Sequence, residues 1–221
     1  MAFLQGRMGS RRLPGKTLMK IHGRSILERA IGRLQASPIV DAVVVLTTRL
    51  KEDNAIAAEC ERLGVSFYRG PEDNVLARFY EAAVLFKPKI VIRATADNPL
   101  IEIGSMERIV TALRLLNLDY CMEKDLPYGA ATEAMTVAAL AKTYAEASEP
   151  RHLKHVTLYI KEHPDEFRVL LLDPPIDVRR PELRVTVDTP EDFAAMEWLI
   201  GRFPETDQPR PLKDYFIQRQ Q

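Results

Sequence analysis

The first chemically suggestive stretch of the chain is GRMGSRRLPGKT, residues 6–17. It combines glycines, arginines and a lysine, as a phosphate-binding loop does. A Walker A loop has four residues between its first glycine and the Gly-Lys-Ser/Thr triplet. Here the GKT triplet at 15–17 is preceded by Gly9, and five residues separate the two. Pro14 also lacks the backbone N–H that such a loop would offer to phosphate. The stretch therefore resembles a phosphate loop without having the Walker A spacing.

Two aspartates occupy comparable places further along the sequence. Asp97 follows the apolar run KIVIRATA and Asp188 ends the run LRVTVD, so we expect both at the carboxyl end of a strand. In open α/β sheets, ligands bind at that edge. Two carboxylates that converge there suit Mg²⁺, which shares protein oxygens with substrate phosphates. The alternative is that each aspartate caps the loop or helix that follows it, but the nearby basic glycine loop favours the metal interpretation.

The charge of the chain is unevenly distributed. The whole sequence has 31 basic and 31 acidic residues, whereas residues 1–33 carry eight basic residues and one acidic residue. A local positive block on a neutral protein favours a compact pocket for a polyanion, although a solvated basic face has the same composition. Residues 5–33 contain no aromatic side chain, which argues against a platform for stacked nucleic-acid bases.

These residues need a sheet and helices to position them, and the chain alternates between the two. Continuous β-branched runs such as AVVVLTT predict strands buried on both faces, and apolar residues at helical spacing predict helices. Strands are expected over residues 2–5, 42–48, 65–68, 89–95, 118–122, 167–172 and 183–188. Helices are expected over residues 25–36, 52–63, 74–86, 105–117, 137–147, 151–162 and 189–200. The alternation predicts an α/β fold with an open, mostly parallel central sheet.

Capping signals mark two helix starts. Ser25 followed by Glu28 predicts a capping box at the first predicted helix. At the last predicted helix, Thr189 is the expected N-cap, Pro190 takes the first helical position and Asp192 lies in the first turn. Both signals are local, so they fix these starts before any tertiary contact is considered.

Composition bounds the class of protein. Hydrophobic residues make up 46% and charged residues 28% of the 221 residues, as in ordinary soluble globular proteins. No run approaches the roughly 18 apolar residues of a membrane span, and the N-terminus lacks the apolar core of a signal peptide. Two distant cysteines, Cys60 and Cys121, fit a reducing compartment. We therefore predict a cytoplasmic protein without membrane or nucleic-acid partners, with a single domain over 1–221 and a surface tail over 204–221.

The opening stretch resembles the signature of a known family. LQGRMGSRRLPGKTL is similar to the QARMGSxRLPGKxL start of the cytidylyltransferases, specifically of the spore coat polysaccharide biosynthesis branch. 3-Deoxy-manno-octulosonate cytidylyltransferase and CMP-sialic acid synthetase are relatives of that branch. The resemblance continues through YRGPEDNVLARFYEAA, IRATADNPLI, HVTLYI and RVTVDTPEDF. These five motifs follow the family's order and cover essentially the whole chain.

The resemblance implies a Rossmann-like nucleotide-diphospho-sugar transferase fold, with helices on both faces of the sheet. It also implies transfer of CMP from CTP to an acceptor with release of pyrophosphate. Such catalysis consists mainly of positioning and electrostatic stabilisation of phosphate oxygens. We expect Arg7, Arg12 and Lys16 to supply the catalytic cations.

Further site residues follow from the same opening motif and from the two aspartates. The backbone N–H groups of Met8, Gly9 and Ser10 are expected to form an anion-binding turn for the nucleotide. Asp97 and Asp188 are expected to hold the cofactor Mg²⁺, bridging the triphosphate. CTP and a small anionic acceptor are thus the expected partners.

The base and ribose site is less sharply defined by the sequence. Thr47, Thr48 and the segment 69–78 match regions that face cytosine and ribose in the family. Asp73 is either a nucleotide-binding residue or the cap of the helix that begins near it. Arg78 either reaches the nucleotide or pairs with the acidic PED turn.

The acceptor side carries the departures from the family pattern. Glu133 and His155 match acceptor-side segments, and Arg93 is expected to be structural. Lys154 stands where members commonly have glutamate, which favours a strongly anionic acceptor such as a phosphonate or sugar phosphate over a sugar acid. His152 and His155 are spaced as a metal pair on a helix would be, but we favour an acceptor or subunit-contact role for His155.

The resemblance also implies a homodimer, with residues 120–175 as the acceptor and dimerisation region. Two rival functions on the same fold remain open at this point. A non-catalytic nucleotide-binding protein could lose the metal aspartates, and both are present here. A glycosyltransferase commonly has an Asp-x-Asp metal motif, and the TADNP segment lacks the second acid.

Overall fold

The computed structural model describes residues 1–216. Its strands are β1 (Ala2–Gln5), β2 (Lys20–Ile21), β3 (Arg24–Ser25), β4 (Val43–Thr48), β5 (Ser66–Gly70), β6 (Ile90–Thr95), β7 (Tyr120–Glu123), β8 (Glu133–Thr136) and β9 (Val169–Leu172). Its α-helices are α1 (Ile26–Gln35), α2 (Asn54–Leu63), α3 (Val75–Phe86), α4 (Ile103–Leu115), α5 (Val137–Glu146), α6 (Pro150–Lys154), α7 (Leu158–Glu162) and α8 (Pro190–Gly201).

Seven strands form one sheet in the order β5-β4-β1-β6-β8-β7-β9, and β2 pairs with β3 separately. β1 lies between β4 and β6 and is parallel to both. β8 runs antiparallel to its neighbours β6 and β7. The prediction of a mostly parallel α/β sheet is confirmed, and the carboxyl ends of β1, β4 and β6 meet at one edge.

Helices cover both faces of this sheet. Helices α1, α2 and α4 pack on one face in a core that includes Leu4, Val45 and Ile92. Helices α3, α5 and α7 pack on the other face around Phe3 and Val44. Neighbouring residues of one strand thus enter opposite cores, which is why β1 and β4 are apolar at successive positions. The central strands are thereby fixed from both sides.

The prediction of a strand over 183–188 is wrong. This extended segment forms one isolated bridge, at Tyr128, and no ladder among the described residues. The amide of Val187 instead donates to the Asp97 carbonyl at 2.9 Å. Asp188 therefore reaches the sheet edge on a segment that is bonded to loops, and it does not end a strand.

The prediction of one helix over 151–162 is also wrong, because α6 and α7 are separate and the chain leaves helical geometry at His155. Just after the break, the hydroxyl of Thr157 donates to the buried carboxylate of Glu133 at 2.9 Å. The helical spacing of apolar residues does not encode this tertiary contact. The β2–β3 hairpin is a further element that the sequence pattern did not predict.

The predicted tail is partly described. Residues 203–210 pass over α1, where Arg33 donates to the Arg210 carbonyl at 2.8 Å, and a cleft of about 430 Å³ lies between them. Leu212 and Tyr215 then enter a third apolar cluster with Ile200 of α8. Residues 217–221 of the predicted tail lie outside the described residues. Across residues 1–216, the helices are all too short or too polar to cross a membrane.

Candidate active site

The glycine loop follows β1 at the carboxyl edge of the sheet. It closes on itself, because the amides of Ser10 and Gly15 both donate to the Met8 carbonyl, at 2.8 and 3.1 Å. Gly15 has φ of 74°, a left-handed conformation that glycine adopts at little cost. The next residue, Lys16, is thereby turned inward and is 8% exposed.

Lys16 is the centre of the site. Its ammonium donates to Asp97 Oδ2 at 2.8 Å, to Asp188 Oδ1 at 2.8 Å and to the carbonyl of Val187 at 2.7 Å. An ammonium has three donors, so all of its hydrogen-bonding capacity is used within the protein. The two aspartates that the sequence singled out are therefore brought together, with a cation between them.

Asp188 is held by three basic side chains. Besides Lys16, Arg12 lies 3.0 Å and Arg184 2.6 Å from its carboxylate oxygens. Burial opposes ionisation of this carboxyl, but the hydrogen bonds from Lys16 and Arg184 outweigh burial, so the pKa of Asp188 lies below its usual value. The carboxylate is thus ionised at neutral pH.

The segment that carries Asp188 is fixed by the start of α8. The predicted N-cap is confirmed: the Thr189 hydroxyl accepts from the Asp192 amide, and the Asp192 carboxylate accepts from the Thr189 amide, which completes a capping box. The same carboxylate accepts from the amide of Asp188 at 2.9 Å and pairs with Arg184. The hydrogen bond from Arg184 is the main reason that the pKa of Asp192 falls to about 2.

A cleft of about 520 Å³ opens beside the glycine loop, and we call it the loop cleft. Ten of the predicted site residues line it: Arg7, Gly9, Ser10, Arg12, Lys16, Asp73, Arg78, Asp97, His155 and Asp188. Its wall includes six basic and four acidic residues. The loop cleft therefore has the size and charge to take a polyanion.

Three predicted nucleotide-binding residues do not line the loop cleft. Thr47 and Thr48 are fully buried at the end of β4. The amide of Met8 donates to Asp53 Oδ1 at 2.7 Å, so this N–H already has a partner, and the Ser10 amide is likewise engaged within the loop. The anion-binding turn proposed from the sequence thus has two of its three amides committed in this structure.

Asp53 is a residue that sequence reasoning missed. It is fully buried, and its carboxylate accepts from the Met8 amide, from the Thr48 amide at 3.3 Å and from the Thr48 hydroxyl. It therefore ties the glycine loop to the end of β4. The available signal was an acidic residue a few positions after a buried strand that ends in two threonines.

The turn between β5 and α3 shapes the far end of the loop cleft. Arg78 is buried and donates to the backbone carbonyls of Pro71 and Glu72, at 2.7 and 3.2 Å, rather than to the side-chain carboxylates of this acidic turn. The side chain of Asn74, not that of Asp73, caps α3. Asp73 is thus exposed on the cleft wall, and its predicted alternative role as a helix cap is wrong.

A second cleft of about 460 Å³ adjoins the first, and we call it the β8 cleft because Glu133 of β8 and the loop before it line its wall. The two clefts share Arg12, Thr95, Asp97 and Asp188. Glu133 lines the β8 cleft but is 5% exposed. The carboxylate pair at Lys16 therefore lies where the two clefts meet.

The histidines of the predicted pair separate. His152 is buried and its Nε2 bonds to Glu162 at 2.7 Å, whereas His155 is exposed on the wall of the loop cleft beside Lys154. Within residues 1–216 there is no cluster of three or more His, Cys, Asp or Glu that could hold a metal. The metal-pair alternative for these histidines is not supported by their placement.

Asp97 and Asp188 fit the predicted Mg²⁺ by the chemistry of their donor set. One carboxylate oxygen of each already shares a single cation, the Lys16 ammonium, which stands in for a metal ion at this point. The Val187 carbonyl adds a third oxygen. Mg²⁺ commonly takes one or two carboxylates and completes its shell with water and substrate phosphate.

A basic cleft at the carboxyl edge of a mostly parallel sheet places this chain among the nucleotide-binding α/β proteins. Comparison with known proteins narrows that class. The sequence matches the family described as cytidylyltransferase over residues 1–219. The protein therefore belongs to the cytidylyltransferase family, a family of nucleotidyltransferase enzymes.

Two relatives are similar over most of the chain. An uncharacterized protein of Methanocaldococcus jannaschii is 42% identical over 86% of this chain and 78% of its own length. The spore coat polysaccharide biosynthesis protein SpsF of Bacillus subtilis is 33% identical over 91% of this chain and 86% of its own. The resemblance to that branch, first drawn from motifs, is thus confirmed.

Solved structures share the fold. A cytidylyltransferase from Leptospira borgpetersenii superposes with a TM-score of 0.90 at 27% identity, covering 97% of this chain and 91% of that one. A CMP:2-keto-3-deoxy-manno-octonic acid synthetase complexed with CTP has a TM-score of 0.67 at 17% identity, covering 91% and 98%. The second likeness establishes the nucleotidyltransferase fold alone.

Proposed function

We propose that this protein uses CTP to transfer CMP to a small anionic acceptor, such as a sugar acid, a phosphonate or a sugar phosphate, and releases pyrophosphate. The observation that carries the proposal is the junction of the two clefts at Lys16, Asp97 and Asp188. CTP then occupies the loop cleft, the acceptor occupies the β8 cleft, and the α-phosphorus lies between them.

The loop cleft supports a triphosphate as its ligand. Its basic residues are Arg7, Arg11, Arg12, Lys16, Arg78 and Lys154. Arg11 and Lys154 have no ion-pair partner within residues 1–216, and Arg12 is exposed beside its partner Asp188. Exposed cations of this kind can bond the oxygens of a bound phosphate chain, and each charge-assisted hydrogen bond contributes about 1.5–3 kcal/mol.

Catalysis on this proposal is mainly positioning and charge stabilisation. An acceptor oxygen attacks the α-phosphorus in line with the departing pyrophosphate, and negative charge spreads over the phosphate oxygens. Arg12 and Lys16 lie at the junction, so they are placed to stabilise that charge. Asp97 and Asp188 would hold Mg²⁺, which when bound neutralises triphosphate charge and polarises phosphate oxygens.

We also propose the homodimer that the sequence suggested. β9 is an edge strand of the sheet, and its Leu171 is 49% exposed. An edge strand presents unpaired backbone groups, which are a common place for pairing with a second chain. The cytoplasmic location stays a prediction from the sequence.

The test is a screen for CTP-dependent pyrophosphate release. The protein is incubated with CTP, Mg²⁺ and a panel of sugar acids, phosphonates and phosphorylated polyols, and CMP-linked products are identified by mass spectrometry. ATP, GTP and UTP serve as nucleotide controls. The expected result is release with CTP and one acceptor class. Absence of CTP binding in calorimetry would contradict the proposal whatever the acceptors show.

A further inference from the structure

Arg93 lies on β6, two residues before the end of that strand at Thr95, and lines the β8 cleft. In the ladder between β6 and β8 it stands directly opposite Glu133, so the two side chains share one face of the sheet. The sequence suggested that Glu133 contacts the acceptor and that Arg93 is structural. The hydrogen bonds of the pair indicate a different division of roles.

The carboxylate of Glu133 is fully engaged by the protein. It accepts hydrogen bonds from Arg93, Tyr120, Thr157 and Lys161. Burial opposes ionisation, but the charges of Arg93 and Lys161 outweigh it and lower the pKa of Glu133 to about 2. Three of these donors share Oε1, Arg93 takes Oε2, and the residue is 5% exposed, so an acceptor group has little access to this carboxylate.

Arg93 has donor capacity left over. Its Nε donates to the Gln5 side chain at 3.2 Å and its Nη1 to Glu133. Its Nη2 makes no hydrogen bond to any residue among 1–216, and it is not among the buried nitrogens that lack a partner. The side chain is 18% exposed and lines the β8 cleft. Arg93 therefore offers the β8 cleft a charged side chain whose Nη2 is still free to donate.

The surroundings of Arg93 are positive on one side. Burial, and then the charges of Arg93, Lys154 and Lys161, lower the pKa of His155. Lys154 has no ion-pair partner in the described part of the chain. Arg93 and Lys161 also share a single carboxylate, that of Glu133, so this group of side chains keeps a net positive charge.

Elsewhere on the wall of the β8 cleft, carboxylates are paired with arginines. Glu123 is bonded twice by Arg108, and Asp125 pairs with Arg179 at 2.6 Å. Glu123 and Asp125 thus each have a cation, so this part of the wall offers hydrogen bonds more than net charge. Such a wall suits the hydroxyls of an acceptor, while Arg93 suits a single anionic group.

We propose that Arg93 is the residue that selects the acceptor: its free Nη2 edge binds the carboxylate, phosphonate or phosphate oxygens of that molecule. Glu133 is then a positioning residue, which holds the guanidinium and shares its charge with Lys161. This inference rests on the proposed function, since it assumes that the acceptor occupies the β8 cleft. Arginine suits the role because its guanidinium stays charged, and the bonds that Nε and Nη1 make to Gln5 and Glu133 hold the remaining Nη2 donors in place.

Histidine NMR on the full chain tests the proposal. The chain has four histidines, so the imidazole resonance of His155 can be assigned by substitution. The protein is first saturated with Mg²⁺ and α,β-methylene-CTP, with binding measured by calorimetry, and then titrated with methylphosphonate or glycolate. The two probes separate a phosphonate-type from a carboxylate-type acceptor. We expect at least one to shift the His155 resonance in a saturable manner.

The variants decide whether Arg93 is responsible. Arg93→Met should weaken probe binding by tenfold or more, with nucleotide binding unchanged, and Arg93→Lys should restore part of it. The double variant Arg93→Met, Glu133→Gln removes the buried pair together, in case the single variant folds poorly. Arg168→Met, which removes a surface guanidinium at the opposite edge of the sheet, is the matched control and should bind the probe normally.

The outcomes distinguish failure of the proposed function from failure of the role assigned to Arg93. If the nucleotide analogue does not bind, the proposed function fails. If it binds but neither probe shifts His155, or if the probes bind the Arg93 variants as well as the wild type, the assignment of Arg93 is overturned while the cytidylyltransferase function stands.

Discussion

Lys16→Met removes the central cation of the site and leaves its two carboxylates facing each other. In the structure the Lys16 ammonium is 2.8 Å from an oxygen of each aspartate, so these two oxygens are no farther apart than twice that distance. Arg12 and Arg184 still neutralise Asp188 in the variant, whereas Asp97 has no other ion pair among residues 1–216. The variant therefore has an uncompensated carboxylate beside a second one.

Lys16 makes three charge-assisted hydrogen bonds, and the two to carboxylates set the size of the effect. Each contributes about 1.5–3 kcal/mol when desolvated, and removal of one partner of a buried pair costs about 3–5 kcal/mol. The Asp97 side chain is 28% exposed, so solvent screening reduces these values. We expect the free energy of unfolding to fall by about 2–3 kcal/mol, which for a chain of this size lowers Tm by about 4–12 °C.

The assay is thermal and urea unfolding with and without millimolar Mg²⁺, in the absence of nucleotide. In the wild type Lys16 competes with Mg²⁺ for the carboxylates, whereas in Lys16→Met the pair is open to the metal. Added Mg²⁺ should therefore raise the Tm of the variant more than that of the wild type. Lys89→Met, which alters an exposed lysine, is the control. A variant with wild-type stability and the same Mg²⁺ response would refute this reasoning.

Three further predictions concern catalysis, acid stability and assembly. Asp97→Asn and Asp188→Asn should each abolish most CTP-dependent pyrophosphate release while melting cooperatively, and near-wild-type turnover in either variant would remove that aspartate from the metal site. Glu133 has a pKa of about 2 in the fold against an ordinary 4.5; its stabilising contribution is full above the ordinary value and is lost as pH falls towards 2. At about 1.4 kcal/mol per pKa unit, the free energy of unfolding of the wild type should fall by on the order of 3 kcal/mol more than that of Glu133→Gln between pH 6 and pH 2. Urea unfolding measures this difference, and parallel pH profiles of the two proteins would contradict it. Light scattering should give a species of twice 25.1 kDa, and a monomer at micromolar concentration would exclude the homodimer.

Much of the fold could be predicted from local patterns, because the physical cause of each pattern acts within a few residues. All but the first residue of the run AVVVLTT form the fully buried strand β4, since β-branched residues without polar alternation need cover on both faces. Ser25 accepts from the amide of Glu28 at the start of α1, because a capping hydroxyl acts within one turn. The Glu28 carboxylate pairs with Arg62 instead, so only the hydroxyl half of the predicted capping box forms. The two corrected elements, 183–188 and 151–162, are segments whose hydrogen bonds go to distant loops or to a buried side chain.

The sequence by itself determined which residues the site contains: a basic glycine loop and two aspartates, expected at the carboxyl edge of the sheet. Only the tertiary structure decided that Lys16 is bonded to both Asp97 and Asp188, and that Arg93 keeps a free edge while Glu133 does not. The physical reason is that a motif fixes residue type and local turn geometry, whereas hydrogen-bond partners separated by tens of residues depend on how the strands are ordered in the sheet. Parallel order brings the ends of β1 and β6 together, and the bond from Val187 to the Asp97 carbonyl then brings in the last carboxylate.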